Sequence, residues 1–143
     1  MFYDDSTQML IAAGKTNSNN FAPAQNDHGY VFALDPEGDW LWGNFFYNVS
    51  YAVSTVTGCQ LSSKGTYVSI FGIANSLPIV MLLNKKDGAI LTFLTIATVK
   101  SYTTTPSFVT SSSFIVEEAD PIDGKQYIYL AFTMNKILQI VKF

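Results

Sequence analysis

Arginine is absent from this sequence, and cysteine and histidine occur once each, as Cys59 and His28. A single cysteine excludes an intrachain disulfide, and one cysteine with one histidine leaves almost no basis for a Cys/His metal site. Without arginine the chain lacks the planar guanidinium that suits phosphates and base edges. Nucleic acid is therefore not an expected partner.

Charge and long apolar runs are also scarce. Charged residues make up 13% of the chain, with a formal net charge of -3. No apolar run approaches the roughly 18 to 20 residues that a membrane-spanning helix needs, so no membrane span is predicted. The first five residues lack the basic segment and apolar stretch of a secretory signal.

Hydrophobic and aromatic residues are plentiful. They account for 48% and 15% of the 143 residues, and β-branched side chains are abundant among them. Such side chains suit a pleated, half-buried surface better than a helix. The chain is long enough for one domain with a substantial core, so the composition predicts a single, mostly β domain.

A repeated hairpin organises the chain. Residues 29–46 have alternating apolar residues on both sides of a turn at 35–38, which predicts a strand, a tight turn and a second strand. Residues 77–96 repeat this order around a turn at 84–88. Gly38 and Gly88 occupy matching places in the two turns. A fixed period of about 50 residues is typical of repeat architectures.

Further predicted strands precede each hairpin. Segments with small residues lie at 8–14, 66–73 and 126–132, and Ser/Thr-rich apolar segments lie at 53–61 and 107–116. Polar turns join these segments, at 62–65 and at 117–125. Each unit thus has four predicted strands.

Four antiparallel strands in 40 to 50 residues match the size of a propeller blade. We predict an all-β fold, a partial β-propeller of about three four-stranded antiparallel blades, with the first and last blades incomplete. The single domain divides into blade one at 1–50, blade two at 51–100 and blade three at 101–143. Incomplete blades leave apolar faces and edges uncovered, so the expected partners are further blades of the same chain or neighbouring copies.

The first hairpin carries a recognisable motif. Residues 31–42 read Val-Phe-Ala-Leu-Asp-Pro-Glu-Gly-Asp-Trp-Leu-Trp, and Phe-Phe follows at 45–46. This segment resembles the bacterial β-propeller repeat called SBBP, and it is similar to the pyrroloquinoline-quinone-type repeat, whose tryptophan docks neighbouring blades. The second hairpin keeps Gly88 but has Thr92 where Trp42 stands. The resemblance implies a propeller and carries no activity, because propellers host many unrelated functions.

The motif residues have predicted structural roles. Asp35 accepts backbone N–H bonds within the turn, Pro36 presets φ, and Gly38 takes a positive φ. Gly88 is the matching turn glycine of the second hairpin. Trp42 then packs flat between blades. We expect turn formation and blade docking from these five residues, and no catalytic role.

Catalytic and metal-binding patterns are weak. His28 is expected to be a solvated turn residue, and Cys59 a small buried hydrophobe. The acids between Glu117 and Asp123 form the best cation candidate, yet they lack the spacing of a calcium loop and are expected in a solvated turn. We therefore predict no catalytic residue, no metal site and no cofactor.

Asn48 begins the sequence Asn-Val-Ser, an N-glycosylation sequon. A glycan at Asn48 would suit an extracellular or cell-surface protein, and the arginine-free, Ser/Thr-rich composition agrees with that location. The predicted function is a non-enzymatic propeller scaffold or binding module, with other proteins or glycans as further candidate partners.

Two other functions stay open. The chain is alternatively a segment of a propeller enzyme, either quinone-dependent dehydrogenase-like or glycan-acting, with its active site built by other blades. It is alternatively a docking subunit inside a large complex. A glycan on Asn48 would argue against the docking subunit.

Overall fold

The computed structural model describes residues 1–18, 20, 27–46, 53–62, 65–74, 77–95, 114–119, 122, 124–134 and 137–142. These residues form eleven β-strands and, within the same ranges, no helix. The strands are β1 (Phe2–Asp4), β2 (Met9–Thr16), β3 (His28–Leu34), β4 (Trp40–Phe45), β5 (Val53–Leu61), β6 (Tyr67–Ala74), β7 (Leu77–Asn84), β8 (Ile90–Thr95), β9 (Phe114–Ala119), β10 (Gln126–Met134) and β11 (Ile137–Lys142).

The strands form three separate antiparallel sheets. Sheet 1 has the order β1-β2-β3-β4 and sheet 2 the order β5-β6-β7-β8, while sheet 3 contains β9, β10 and β11 with β10 in the middle. Within each sheet, strands that follow one another in sequence pair, as in a meander. The prediction of an all-β fold with four-stranded antiparallel units is confirmed by sheets 1 and 2.

Burial follows the pleat. In β3, Val31 and Ala33 are fully buried, whereas Tyr30 and Phe32, which alternate with them, are half-buried. Alternating side chains point to opposite faces of a strand, so sheet 1 has one covered and one partly open face. In β6 the burial is nearly continuous, which is the pattern of a strand covered on both faces.

The core lies between sheets 1 and 2. Strands β2 and β3 pack against β5, and the covered face of sheet 1 meets one face of sheet 2. Gly29 of β3 allows this approach, because a Cβ there would lie 3.0 Å from side-chain atoms of both Val53 and Val56. On sheet 3, β9 contacts β5 and β6. The sheets therefore stack in chain order.

The two predicted hairpins share an irregularity in register. The pairing of β3 with β4 shifts between Ala33 and Leu34, and that of β7 with β8 shifts between Leu82 and Leu83. Both hairpin turns end in a glycine of positive φ, +88° at Gly38 and +72° at Gly88. The repeat seen in the sequence thus extends to the backbone of the two hairpins.

Two predicted turn assignments are wrong. His28 is the first residue of β3 and is buried, with 9% of its surface exposed, and so is not a solvated turn residue. Glu117 and Glu118 lie in β9, paired with Ile128 and Tyr127 of β10, and so are not part of a turn. The strand predicted at 107–116 is observed only from Phe114, since 107–113 lie outside the described residues.

Candidate docking interface between the sheets

Trp42 is the largest side chain that joins sheet 1 to sheet 2. It lies on β4 with 6% of its surface exposed, and its Nε1 donates a hydrogen bond to the carbonyl oxygen of Lys85 at 2.8 Å. Lys85 belongs to the turn between β7 and β8. A buried indole needs a partner for its N–H, and here a turn of the neighbouring sheet supplies it.

Gly88 makes room for that indole. A Cβ at residue 88 would lie 2.5 Å from Cε3 of Trp42, closer than real Cβ contacts allow. Its φ of +72° adds a second reason for glycine. Trp42 therefore packs directly against the backbone of Gly88.

Asn44 adds a second link from β4. Its Nδ2 donates to the carbonyl oxygen of Gly88 at 2.6 Å. Trp42 and Asn44 are two residues apart on a strand and so point to the same face. Together they satisfy two carbonyl groups of one turn and hold that turn against sheet 1.

The two turns are closed in related ways. In the first, Asp35 accepts the Gly38 N–H with its carbonyl at 3.1 Å and the Asp39 N–H with its Oδ1 at 2.7 Å. In the second, Asn84 accepts the Gly88 N–H with its carbonyl at 2.8 Å and the Lys86 N–H with its side chain at 2.9 Å. Asn84 thus stands where Asp35 stands in the first hairpin. Pro36 lies within the first turn.

A buried ion pair also crosses between the sheets. Lys85 Nζ lies 2.9 Å from Oδ2 of Asp4, and their side chains are 12% and 5% exposed. Ser6 donates to Asp4 Oδ1 from its backbone N–H and its hydroxyl, at 3.1 and 2.7 Å, and Thr7 donates to Oδ2. Asp4 therefore fixes its own turn and the β7–β8 turn together.

The pKa of Asp4 reflects these contacts. Burial by itself raises the pKa of this carboxyl, because it disfavours the charged form. The hydrogen bonds from Thr7, Lys85 and Ser6 outweigh burial and hold the pKa of Asp4 well below its ordinary value. Asp4 is thus ionised at neutral pH and paired with Lys85.

Sequence reasoning missed three members of this interface, Asp4, Asn44 and Lys85. The order Asp-Asp-Ser-Thr at 4–7 does signal a side-chain-stabilised turn. The contact of Asp4 with Lys85 spans 81 positions of the chain, and no local pattern indicates it.

The other predicted site residues lie elsewhere or outside the described residues. Cys59 is partly buried and packs against the core, and burial raises the pKa of its thiol. Asn48 lies outside the described residues. Within the described ranges, no three His, Cys, Asp or Glu residues are grouped so that they could hold a metal ion.

The second face of sheet 1 carries an aromatic cluster, which we call the aromatic face: Tyr30, Phe32, Trp40 and Phe45. The ring centroids of Phe32 and Trp40 are 5.4 Å apart, and the rings of Trp40 and Phe45 are nearly parallel, at 3°. A groove of about 290 Å³ lies over these rings, bordered by Lys15 and Thr16. This face points away from the core.

Compared with known protein families, curated proteins and solved structures, the chain matches none of them. Within the described residues, no helix is long and apolar enough to cross a bilayer. The resemblance to propeller repeats therefore depends on the residues of the first hairpin alone.

Proposed function

We propose that this chain is part of a β-propeller and acts as a non-enzymatic scaffold or binding module. The observation that carries the proposal is the contact of Trp42 with the β7–β8 turn. It joins equivalent hairpins of successive sheets, which is how a radial array of blades is held together. Each sheet is then one blade, and the sheets are arranged around a common axis.

The charged and polar groups buried between the sheets support a structural role. Asp4 and Lys85 neutralise each other, and Asn44 is bound to a backbone carbonyl. These groups are engaged in holding two turns in place. In such a scaffold, the exposed loops are the parts that contact other proteins or glycans.

An experimental structure tests the propeller directly. We expect the rotation that takes sheet 1 onto sheet 2 to take sheet 2 onto sheet 3 about the same axis. A β-sandwich, in which sheets 1 and 2 form a closed pair with no common axis, would contradict the proposal.

An activity assay tests the non-enzymatic part of the proposal. The chain is incubated with pyrroloquinoline quinone, a divalent cation, alcohol or sugar substrates and an artificial electron acceptor. We expect no acceptor reduction above the rate without protein. Reduction that depends on both quinone and chain would favour the dehydrogenase-like alternative.

An extracellular or cell-surface location is also part of the proposal, and the Asn48 sequon supports it. We expect secretion from a eukaryotic host to give a chain whose mass falls after N-glycosidase treatment. The Asn48→Gln variant is the control and should show no such loss. An unmodified Asn48 in the secreted chain would count against a glycoprotein and leave the docking-subunit alternative standing.

A further inference from the structure

The aromatic face occupies positions that are covered on sheet 2. When the two hairpins are aligned on their register shifts, Tyr30 corresponds to Ile79 and Phe32 to Met81. Ile79 and Met81 have 0% exposure, because the core between sheets 1 and 2 encloses them. On sheet 2, the face that corresponds to the aromatic face is therefore covered by sheet 1. The covering surface is the opposite face of a like sheet.

Sheet 1 has no such cover within the described residues. Trp40, whose ring stacks on Phe32 and Phe45 of the aromatic face, is 54% exposed. The turn beside it is also open, since a Cβ at Gly38 would meet nothing within 4 Å. At the equivalent Gly88, Trp42 of the preceding sheet fills that space. Sheet 1 thus contacts sheet 2 at one face and at one turn. The corresponding face and turn of sheet 1 have no such contact within the described residues.

The chemistry of the aromatic face suits burial. Its rings stack on one another, and the facing positions Ala12, Gly14 and Gly43 are small and uncharged. Among the described residues, Lys15 places an ammonium beside the groove. It forms an exposed ion pair with Asp27 and lies near the end of its strand. Removing flat, uncharged aromatic rings from water contributes a large favourable free energy.

We propose that the aromatic face of sheet 1 is a self-association site that binds a second copy of this chain. A sheet of the second copy covers Tyr30, Phe32, Trp40 and Phe45 as sheet 1 covers sheet 2. Because the sheets stack in chain order, with β9 against β5 and β6, the association is head to tail. This inference rests on the proposed function, in which like sheets stack, and it adds that the partner is a second copy of the chain.

Sedimentation velocity over a concentration series tests this site. We expect the mass of the wild-type chain to rise above 15.8 kDa with concentration. Trp40→Glu places a charge in the face and should weaken association by roughly tenfold or more. Leu91→Glu is the matched control, because Leu91 is 57% exposed on β8, away from the aromatic face, and its variant should associate like the wild type.

Tryptophan fluorescence gives a second readout that needs no variant. Trp40 and Trp42 are the two tryptophans of the chain, and Trp42 is buried within one copy. Association should therefore reduce the quenching of Trp40 by acrylamide as the protein concentration rises. Quenching that stays constant while the mass rises would overturn the proposal, because the copies would then meet through another surface.

Two further results would overturn the proposal. One is a monomer at every concentration, which would leave a further blade of the same polypeptide, or a sheet of a different one, as the occupant of the face. The other is association that Leu91→Glu weakens as much as Trp40→Glu does. Neither result affects the contact of Trp42 with the β7–β8 turn within one copy, so the proposed function is tested separately.

Discussion

At the scale of single residues, Gly38 and Gly88 show two different reasons why a turn position requires glycine. Both have a positive φ, which costs a residue with a Cβ about 1 to 2 kcal/mol. Only Gly88 also lies against Trp42, whereas the space around Gly38 is open. The two positions therefore form a natural matched pair.

We expect Gly88→Ala to lower the free energy of unfolding by about 2 kcal/mol more than Gly38→Ala does, because the added Cβ displaces the indole. Urea unfolding followed by circular dichroism measures both variants. Equal losses would show that Trp42 moves aside without cost, and that the packing against Gly88 is not close.

Asp4 provides the second prediction at this scale. Asp4→Asn removes one charge of a buried pair and leaves Lys85 unpaired, which should cost about 3 kcal/mol. Asp27→Asn breaks the exposed Lys15–Asp27 pair and should cost less than about 1 kcal/mol. The free energies of unfolding in urea at pH 7 test the difference. Similar small losses in both variants would mean that water reaches the Asp4–Lys85 pair.

At the scale of elements, most strands could be predicted from the sequence. Alternating apolar residues and the turns at 35–38 and 84–88 are local signals, so they indicate the strands between them directly. The Val53–Leu61 strand has the predicted bounds, and β2 differs from its prediction by one residue at its start and two at its end. Positive φ at Gly38 and Gly88 was also predictable, since a glycine at the end of a tight turn usually stands where the backbone needs a positive φ.

The contacts between elements were less predictable. Blade docking by Trp42 is a prediction from resemblance to known repeats. The structure shows a contact of Trp42 with the Lys85 carbonyl, an acceptor that has no side-chain signature. His28 was misplaced because a lone histidine beside a glycine resembles a turn, whereas pairing with Thr16 of β2 draws it into the sheet. Long-range pairing overrides local preference in such cases.

The contact of β4 with the β7–β8 turn gives a prediction at this scale. Trp42→Phe keeps an aromatic ring but loses the N–H bond to Lys85. We expect amide hydrogens of residues 84–89 to exchange roughly tenfold faster in this variant, because the turn is held less firmly. Trp40→Phe, on the same strand but on the aromatic face, is the control. Faster exchange in both variants alike would mean that β4 as a whole has been loosened.

At the scale of the whole molecule, the Asp4–Lys85 pair links stacking of the sheets to pH. The pKa of Asp4 in the folded chain lies below its value in the unfolded chain, so near and below pH 3.8 the unfolded state binds the proton more readily. Its contribution to stability is complete above that pH and is lost as the pH falls toward the folded-state pKa.

We therefore expect the free energy of unfolding to fall between pH 5 and pH 2 more steeply in the wild type than in Asp4→Asn. Urea titrations at several pH values measure both slopes. Parallel slopes would assign the acid sensitivity to other carboxyl groups. Asp27→Asn, which retains Asp4, should keep the wild-type slope.

The two faces of sheet 1 differ in composition, since Val31 and Ala33 lie on one face and Tyr30 and Phe32 on the other. An assembly built by placing unlike faces together has a direction, and it must either close into a ring or continue without limit. The angle between sheets 1 and 2, fixed by Trp42, Asn44 and the Asp4–Lys85 pair, would then determine how many sheets complete one circuit.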